Sequence, residues 1–150
     1  MKIIFLDIDG VLNCSTTYQR HHGYIGIDPK FVKILDRIIK ETGAYLVLSS
    51  TWRIDPKWRS TMYENGIFHE FLDRTPYLSG QIRGEELKAW FDREGVAGFC
   101  QGGEPEKYAI LDDSTNILTE QQEHLFKTSY KTGLTEEIAN DLINYLNETK

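Results

Sequence analysis

Apolar residues along this chain follow two rhythms. Continuous runs occur at residues 2–7 (KIIFLD), 44–50 (AYLVLSS) and 107–113 (KYAILDD), each short and closed by polar residues. Runs of this kind predict strands buried on both faces, as in a parallel sheet covered by helices. Between the first two runs, Phe31, Ile34, Leu35, Ile38 and Ile39 recur at helical spacing. Asp28 is placed to cap that helix, Pro29 suits its first turn, and Gly43 is a stop. Further helices are predicted over 56–65, 83–94 and 136–146. The second of these carries Leu87, Trp90 and Phe91 on one side and ends at Gly95; the third follows Thr135 as N-cap. Strands at 67–72 (IFHEFL) and 125–128 complete the alternation.

Strands alternating with helices imply right-handed crossovers and an α/β three-layer sandwich around a mostly parallel sheet. At 150 residues the chain is expected to form one domain, 1–150, with residues 14–27 (CSTTYQRHHGYIGI) as a short flap insert. No apolar run approaches the roughly 18–20 residues that span a bilayer. The N-terminal apolar stretch is too short for a signal peptide. Cys14 and Cys100 make no disulfide framework, so a reducing, cytoplasmic setting is expected.

Charge is uneven. Residues 19–59 hold eight Lys/Arg against four acids, and residues 104–150 hold ten acids against four bases. The acidic end argues against a general nucleic-acid coat protein, whereas a basic rim near an anionic substrate fits the first segment.

In sheets of this kind ligands bind beyond the carboxyl ends of the strands. Here those ends carry Asp7 and Asp9, then Ser49, Ser50 and Thr51, then Asp112 and Asp113. Carboxylates converging there repel one another unless a cation lies among them. Mg²⁺ suits such a cluster, because it takes a few carboxylates and bridges to phosphate oxygens. An aspartate can then attack phosphorus itself, a hydroxyl can bind a phosphoryl oxygen, and a later Lys or Arg can neutralise the remaining charge.

These residues carry a resemblance. DIDGVLN resembles the first motif of the haloacid dehalogenase (HAD) superfamily, YLVLSSTWR resembles its second and YAILDDS its fourth, in order along nearly the whole chain. The resemblance implies a Rossmann-like fold and a Mg²⁺-dependent phosphomonoesterase. Asp7 would be the nucleophile and Asp9 the general acid and base. Ser49 would bind the phosphoryl group, with Ser50 or Thr51 as alternatives. Asp7, Asp9, Asp112 and Asp113 would form the metal site. For the third-motif cation Arg83 is the choice, with Lys88 and Lys107 as rivals. RGEEL at 83–87 resembles the HAD-like domains of RNA-repair proteins, as do LSSTWR and the stretch with Thr128, Gly133, Leu134 and Thr135. That implies a phosphorylated nucleic-acid end or nucleotide as substrate. Gly10, Ser50, Thr51, Trp52 and Arg53 are then the substrate-binding candidates, the last two stacking a base and binding a phosphate. Trp58 and Arg59 read as ordinary helix anchoring.

Only about forty residues separate Asp9 from Ser49 and about thirty separate Thr51 from Arg83. No sizeable cap domain fits in either interval, so an open site is expected. His21 and His22 read as solvated loop, His124 as structural, and Gly102-Gly103 as a turn. Two other function classes stay open: a silent phosphate- or partner-binding module, and a phosphotransferase. A dehalogenase needs neither Asp9 nor the Asp112-Asp113 pair.

Overall fold

The computed structural model describes residues 1–95 and 105–148. Cys100 and Gly102-Gly103 lie outside the described residues. A five-stranded sheet runs in the order β5-β4-β1-β6-β7, with β1 at Lys2–Leu6, β4 at Tyr45–Leu48, β5 at Phe71–Arg74, β6 at Lys107–Asp112 and β7 at Leu125–Lys127. All four pairings within it are parallel. A separate two-stranded hairpin, β2 (Arg20–His21) and β3 (Tyr24–Ile25), projects from the 14–27 segment. The helices are α1 (Pro29–Thr42), α2 (Trp58–Glu64), α3 (Arg83–Trp90) and α4 (Glu136–Asn147). This is the expected α/β layering, with no large cap among the described residues.

Alternation along the strands builds both layers. Ile4 and Leu6 of β1 join Leu46, Leu48, Ala109 and Leu111 beneath α1, α2 and α4. Ile3 and Phe5 face the other way, with Val47 and Ile110, against Leu87 and Trp90 of α3. A strand covered on both sides has no polar face, which is why the central runs are continuously apolar. Asp28 caps α1 by accepting from the Lys30 N–H at 3.1 Å, and Gly43 closes it by donating to the Ile39 carbonyl at 2.8 Å. Thr135 caps α4 through the Ile138 N–H at 3.2 Å.

Three boundaries differ from the sequence reading. The edge strand occupies 71–74 rather than 67–72: Ile67 is buried in the core beneath α2, and His69 pairs with Asp36 of α1 at 2.6 Å, so this stretch packs on the helices. The first residue of the strand, Phe71, pairs with Leu46, and the register with β4 shifts before Asp73 pairs with Val47. The helix expected over 56–65 starts at Trp58, after a 3₁₀ turn at Thr51–Ile54 whose first N–H groups are capped by Ser50. The helix from Arg83 ends at Trp90 and passes into one π-type turn, Phe91–Gly95. Among the described residues, no helix is long and apolar enough to cross a membrane.

Candidate active site

Register places the chemistry. Leu6 lies opposite Leu48 on one side and Leu111 on the other. The ladder continues one step further, with the Asp7 N–H donating to the Leu111 carbonyl at 3.0 Å and the Ser49 N–H to the Leu6 carbonyl at 2.9 Å. Asp7, Ser49 and Asp112 therefore form one row across three adjacent strands. By alternation this row continues the face of Ile3, Phe5, Val47 and Ile110, the face that α3 covers. The first residue of α3 is Arg83, so the helix delivers a guanidinium to the row.

Arg83 Nη1 pairs with Asp112 Oδ2 and lies 3.6 Å from Asp7 Oδ1. α3 is pinned at that end, the Gly84 N–H donating to the Asn116 carbonyl and Gln121 Nε2 to the Gly84 carbonyl, both at 3.0 Å. The rival cations sit elsewhere. Lys107 begins β6 at the opposite end of the sheet, donating to the Tyr145 carbonyl at 2.6 Å, and Lys88 is exposed further along α3.

Asp7, Asp112 and Asp113 bring carboxylate oxygens within 4.8 Å of one another. Burial and the neighbouring Asp112 push the Asp7 carboxyl well above the usual range, against the pull of Arg83. Burial and Asp112 raise Asp113 as well. Burial alone would lower the Arg83 guanidinium, but Asp112, Asp7 and Glu86 outweigh it and the net shift is upward. Three crowded carboxylates at a buried strand end favour a cation among them, and their donors are hard oxygens; both facts fit a hard divalent metal ion. Gly10 makes the cluster compact: at φ +81° it carries no side chain, and a Cβ there would fall 2.2 Å from Asp113 Oδ2.

Asp9 lives differently. Its exposed carboxylate stands outside this group of three. It accepts from Asn13 Nδ2 at 2.9 Å and from the Trp52 indole N–H at 3.3 Å. Asn13 also accepts the Gly10 N–H at 2.8 Å and donates to the Gly26 carbonyl at 2.9 Å, so one buried amide fixes the loop that carries both aspartates. Thr128 Oγ1 donates to the Gly10 carbonyl at 2.6 Å from the other side. Asn13 stood in DGVLN without an assigned role; its signal was its place just after the two aspartates.

Ser49 is fully buried, and its hydroxyl has no partner among the described residues. A buried hydroxyl left unpaired is costly, so this one is a ready ligand for an incoming oxygen. Ser50 instead caps the Trp52 N–H at 3.2 Å, and Thr51 is exposed at the start of the same turn. Thr75 was missed. It sits beside Ser49 in the row, its N–H donating to the Leu48 carbonyl at 2.9 Å, and its buried hydroxyl is likewise unpaired. Ending the edge strand at 72 hid it.

Arg53 does not face solvent as a phosphate ligand would. It is 2% exposed, and all five N–H donors are used: Nε on the Thr75 carbonyl, Nη1 on the Ser49 and Ser50 carbonyls, Nη2 on the Pro76 carbonyl and on Glu86. Burial lowers its pKa, with Glu86 opposing. Arg53 therefore holds the second-motif loop in place. The Glu86 carboxylate also lies 3.8 Å from Arg83 Nε, which joins that loop to the start of α3. Trp58 is buried, and Arg59 lies over its ring while donating to the Phe71 carbonyl at 2.7 Å. His21 is not a solvated loop residue: its ring stacks on Trp52, centroids 4.6 Å apart. His124 meets the Tyr145 hydroxyl at 2.6 Å, within the packing.

With this geometry in place, comparison with protein families finds a match over residues 3–139 to the model of the HAD domain in Swiss Army Knife RNA repair proteins. No curated protein matches the chain.

Proposed function

The chain belongs to this family of HAD domains, and from that premise we propose that it is a Mg²⁺-dependent phosphomonoester hydrolase working through an aspartyl-phosphate on Asp7. The observation that carries the reading is the row of Asp7, Ser49 and Asp112, with Arg83 against it and Asp113 beside it. Asp7, Asp112 and Asp113 would hold the metal, which when bound offsets the repulsion between an anionic nucleophile and an anionic phosphate.

In the first step an oxygen of Asp7 attacks phosphorus while the bond to the leaving oxygen breaks. Protonated Asp9 gives its proton to that oxygen, and the alcohol departs. In the second step the Asp9 carboxylate takes a proton from water, whose oxygen attacks phosphorus and releases phosphate from Asp7. Ser49 donates its unpaired hydroxyl to a phosphoryl oxygen, and Arg83 lends positive charge. Asn13 and the Trp52 indole hold Asp9 where the leaving oxygen emerges. The substrate in this reading is a phosphorylated nucleic-acid end or nucleotide, which the family's description and the uncapped site both favour.

Phosphate release tests this, measured with Mg²⁺ or EDTA for wild type and Asp7→Asn. The substrates are an aryl phosphate, glycerol phosphate, nucleotides and oligonucleotides phosphorylated at either end. Mg²⁺-dependent release lost in Asp7→Asn is the expected result. A folded, Mg²⁺-binding protein that releases phosphate from none of them would leave the binding-module or phosphotransferase reading standing instead.

A further inference from the structure

The acid that protonates a leaving group must touch it, so the space in front of Asp9 is where the leaving alcohol goes. That space is a cleft of about 560 Å³ lined by Asp9, His21, Tyr24, Trp52, Asp55 and Tyr130 among others. Its character is unlike the acidic floor beside Asp7. Four of these six residues are aromatic rings, and no Lys or Arg is among the described residues that line it. A second phosphate or a carboxylate finds no countercharge there. A flat, uncharged group finds stacking surfaces.

The flap builds one wall. His22 and Gly23 both have positive φ, as a tight two-residue hairpin turn requires, and His21 pairs with Tyr24 across it. Cross-strand partners project from the same side of a ribbon, so the hairpin presents two rings together. His21 is stacked on Trp52, and the His22 ring lies 4.1 Å from that of His21. Trp52 is in turn hydrogen-bonded to Asp9. The rings thus run outward from the acid in succession. Tyr24 and Tyr130 leave 79% and 48% of their surfaces exposed, so their faces are open to a ligand. A platform that starts at the acid and extends past one ring suits a leaving group in which a sugar separates the oxygen from an aromatic base.

Resting on the phosphatase reading above, we infer that the leaving alcohol is a nucleoside whose base stacks in this cleft, with the 14–27 flap as the element that selects it. Stacking without a dedicated hydrogen-bonding edge tolerates any base. The selection that stacking supplies is for the presence of a base.

The test compares kcat/KM for oligonucleotides whose phosphorylated terminal nucleotide carries a base or is abasic, in wild type, Tyr24→Ala and Tyr130→Ala. The base should raise kcat/KM about tenfold or more in wild type, mainly through KM, as expected for one stacked base. That ratio should fall toward one in both variants while thermal melts show them folded. Equal rates on the two substrates in wild type would overturn the inference, as would a phosphotyrosine peptide outperforming every nucleotide. Should no substrate turn over, the phosphatase reading fails separately. The cleft is then judged by quenching of tryptophan emission with a nucleoside monophosphate against glycerol phosphate. Base-dependent quenching that is lost in Trp52→Phe and reduced in Tyr130→Ala upholds it, and quenching absent from wild type sinks it.

Discussion

Asp7 and Asp9 are two residues apart, yet they occupy opposite electrostatic worlds. Asp7 is buried against two other aspartates with Arg83 as its cationic contact. Asp9 is exposed and is held by two neutral donors, an amide and an indole. A nucleophile gains from a site that gathers charge and excludes water, because the attraction of a bound cation is stronger there. A proton carrier has the opposite needs. It must reach the leaving oxygen and then water, and the Asn13 and Trp52 hydrogen bonds orient it at the mouth of the site. The difference teaches that a DxD pair is one motif in sequence and two environments in space, separated by the turn at Gly10.

The comparison breaks most visibly if the two carboxylates prove interchangeable. Asp7→Asn should lower kcat by about three orders of magnitude or more, since the covalent step loses its nucleophile. The same change removes one of three crowded acids, so the metal-free protein should melt above the wild-type temperature. Asp9→Asn should cost on the order of 10²–10⁴ in kcat, the usual range for general acid catalysis. Its metal-free melting temperature should barely move, because the side chain is exposed. Equal stability effects from the two variants, by calorimetry, would contradict the contrast.

The two arginines that contact Glu86 form a second contrast. Arg53→Met removes the closer of Glu86's two cationic contacts and leaves several buried carbonyls without their donor, and should destabilise the fold by roughly 3–5 kcal/mol in urea unfolding. Arg83→Met, in contrast, should act chiefly on kcat, since its guanidinium faces the reacting carboxylates.

The smallest effect is in pH. Asp7 binds its proton more tightly in the folded chain than in the unfolded one. Its contribution to metal-free stability is therefore greatest in acid and declines as pH rises from the ordinary carboxylate range toward the folded pKa. Asp113, also raised, acts in the same direction. Mg²⁺ competes with those protons, so its stabilisation should grow with pH. Thermal melts should show a larger Mg²⁺ shift, a few degrees, at neutral than at mildly acidic pH.

Much of this is legible in the order of residues along the chain. Each central strand is an apolar run whose first polar residue falls at the same rung, so Asp7, Ser49 and Asp112 could be expected at one edge from local pattern alone. Arg83 is the choice that the family resemblance offers at a helix start, with Lys88 and Lys107 as rivals, and the fold brings Arg83 to the row. What could not be read depends on partners distant in the chain. Arg53 turns inward because the carbonyls of Thr75 and Pro76 and the carboxylate of Glu86 wait for it, more than twenty residues away. The stack of His21 on Trp52 joins a flap to a turn thirty residues later. The edge strand was misplaced because IFHEFL is a short stretch rich in apolar and aromatic residues, as strands are, while its first half packs on helices.

The most direct measurement is acid quenching of the enzyme with substrate and Mg²⁺ during turnover, followed by peptide mass spectrometry. A phosphoryl group on the peptide containing Asp7, absent in Asp7→Asn, is the predicted result. Steady turnover with Asp7 never phosphorylated, or undiminished turnover in Asp7→Asn, would contradict the account.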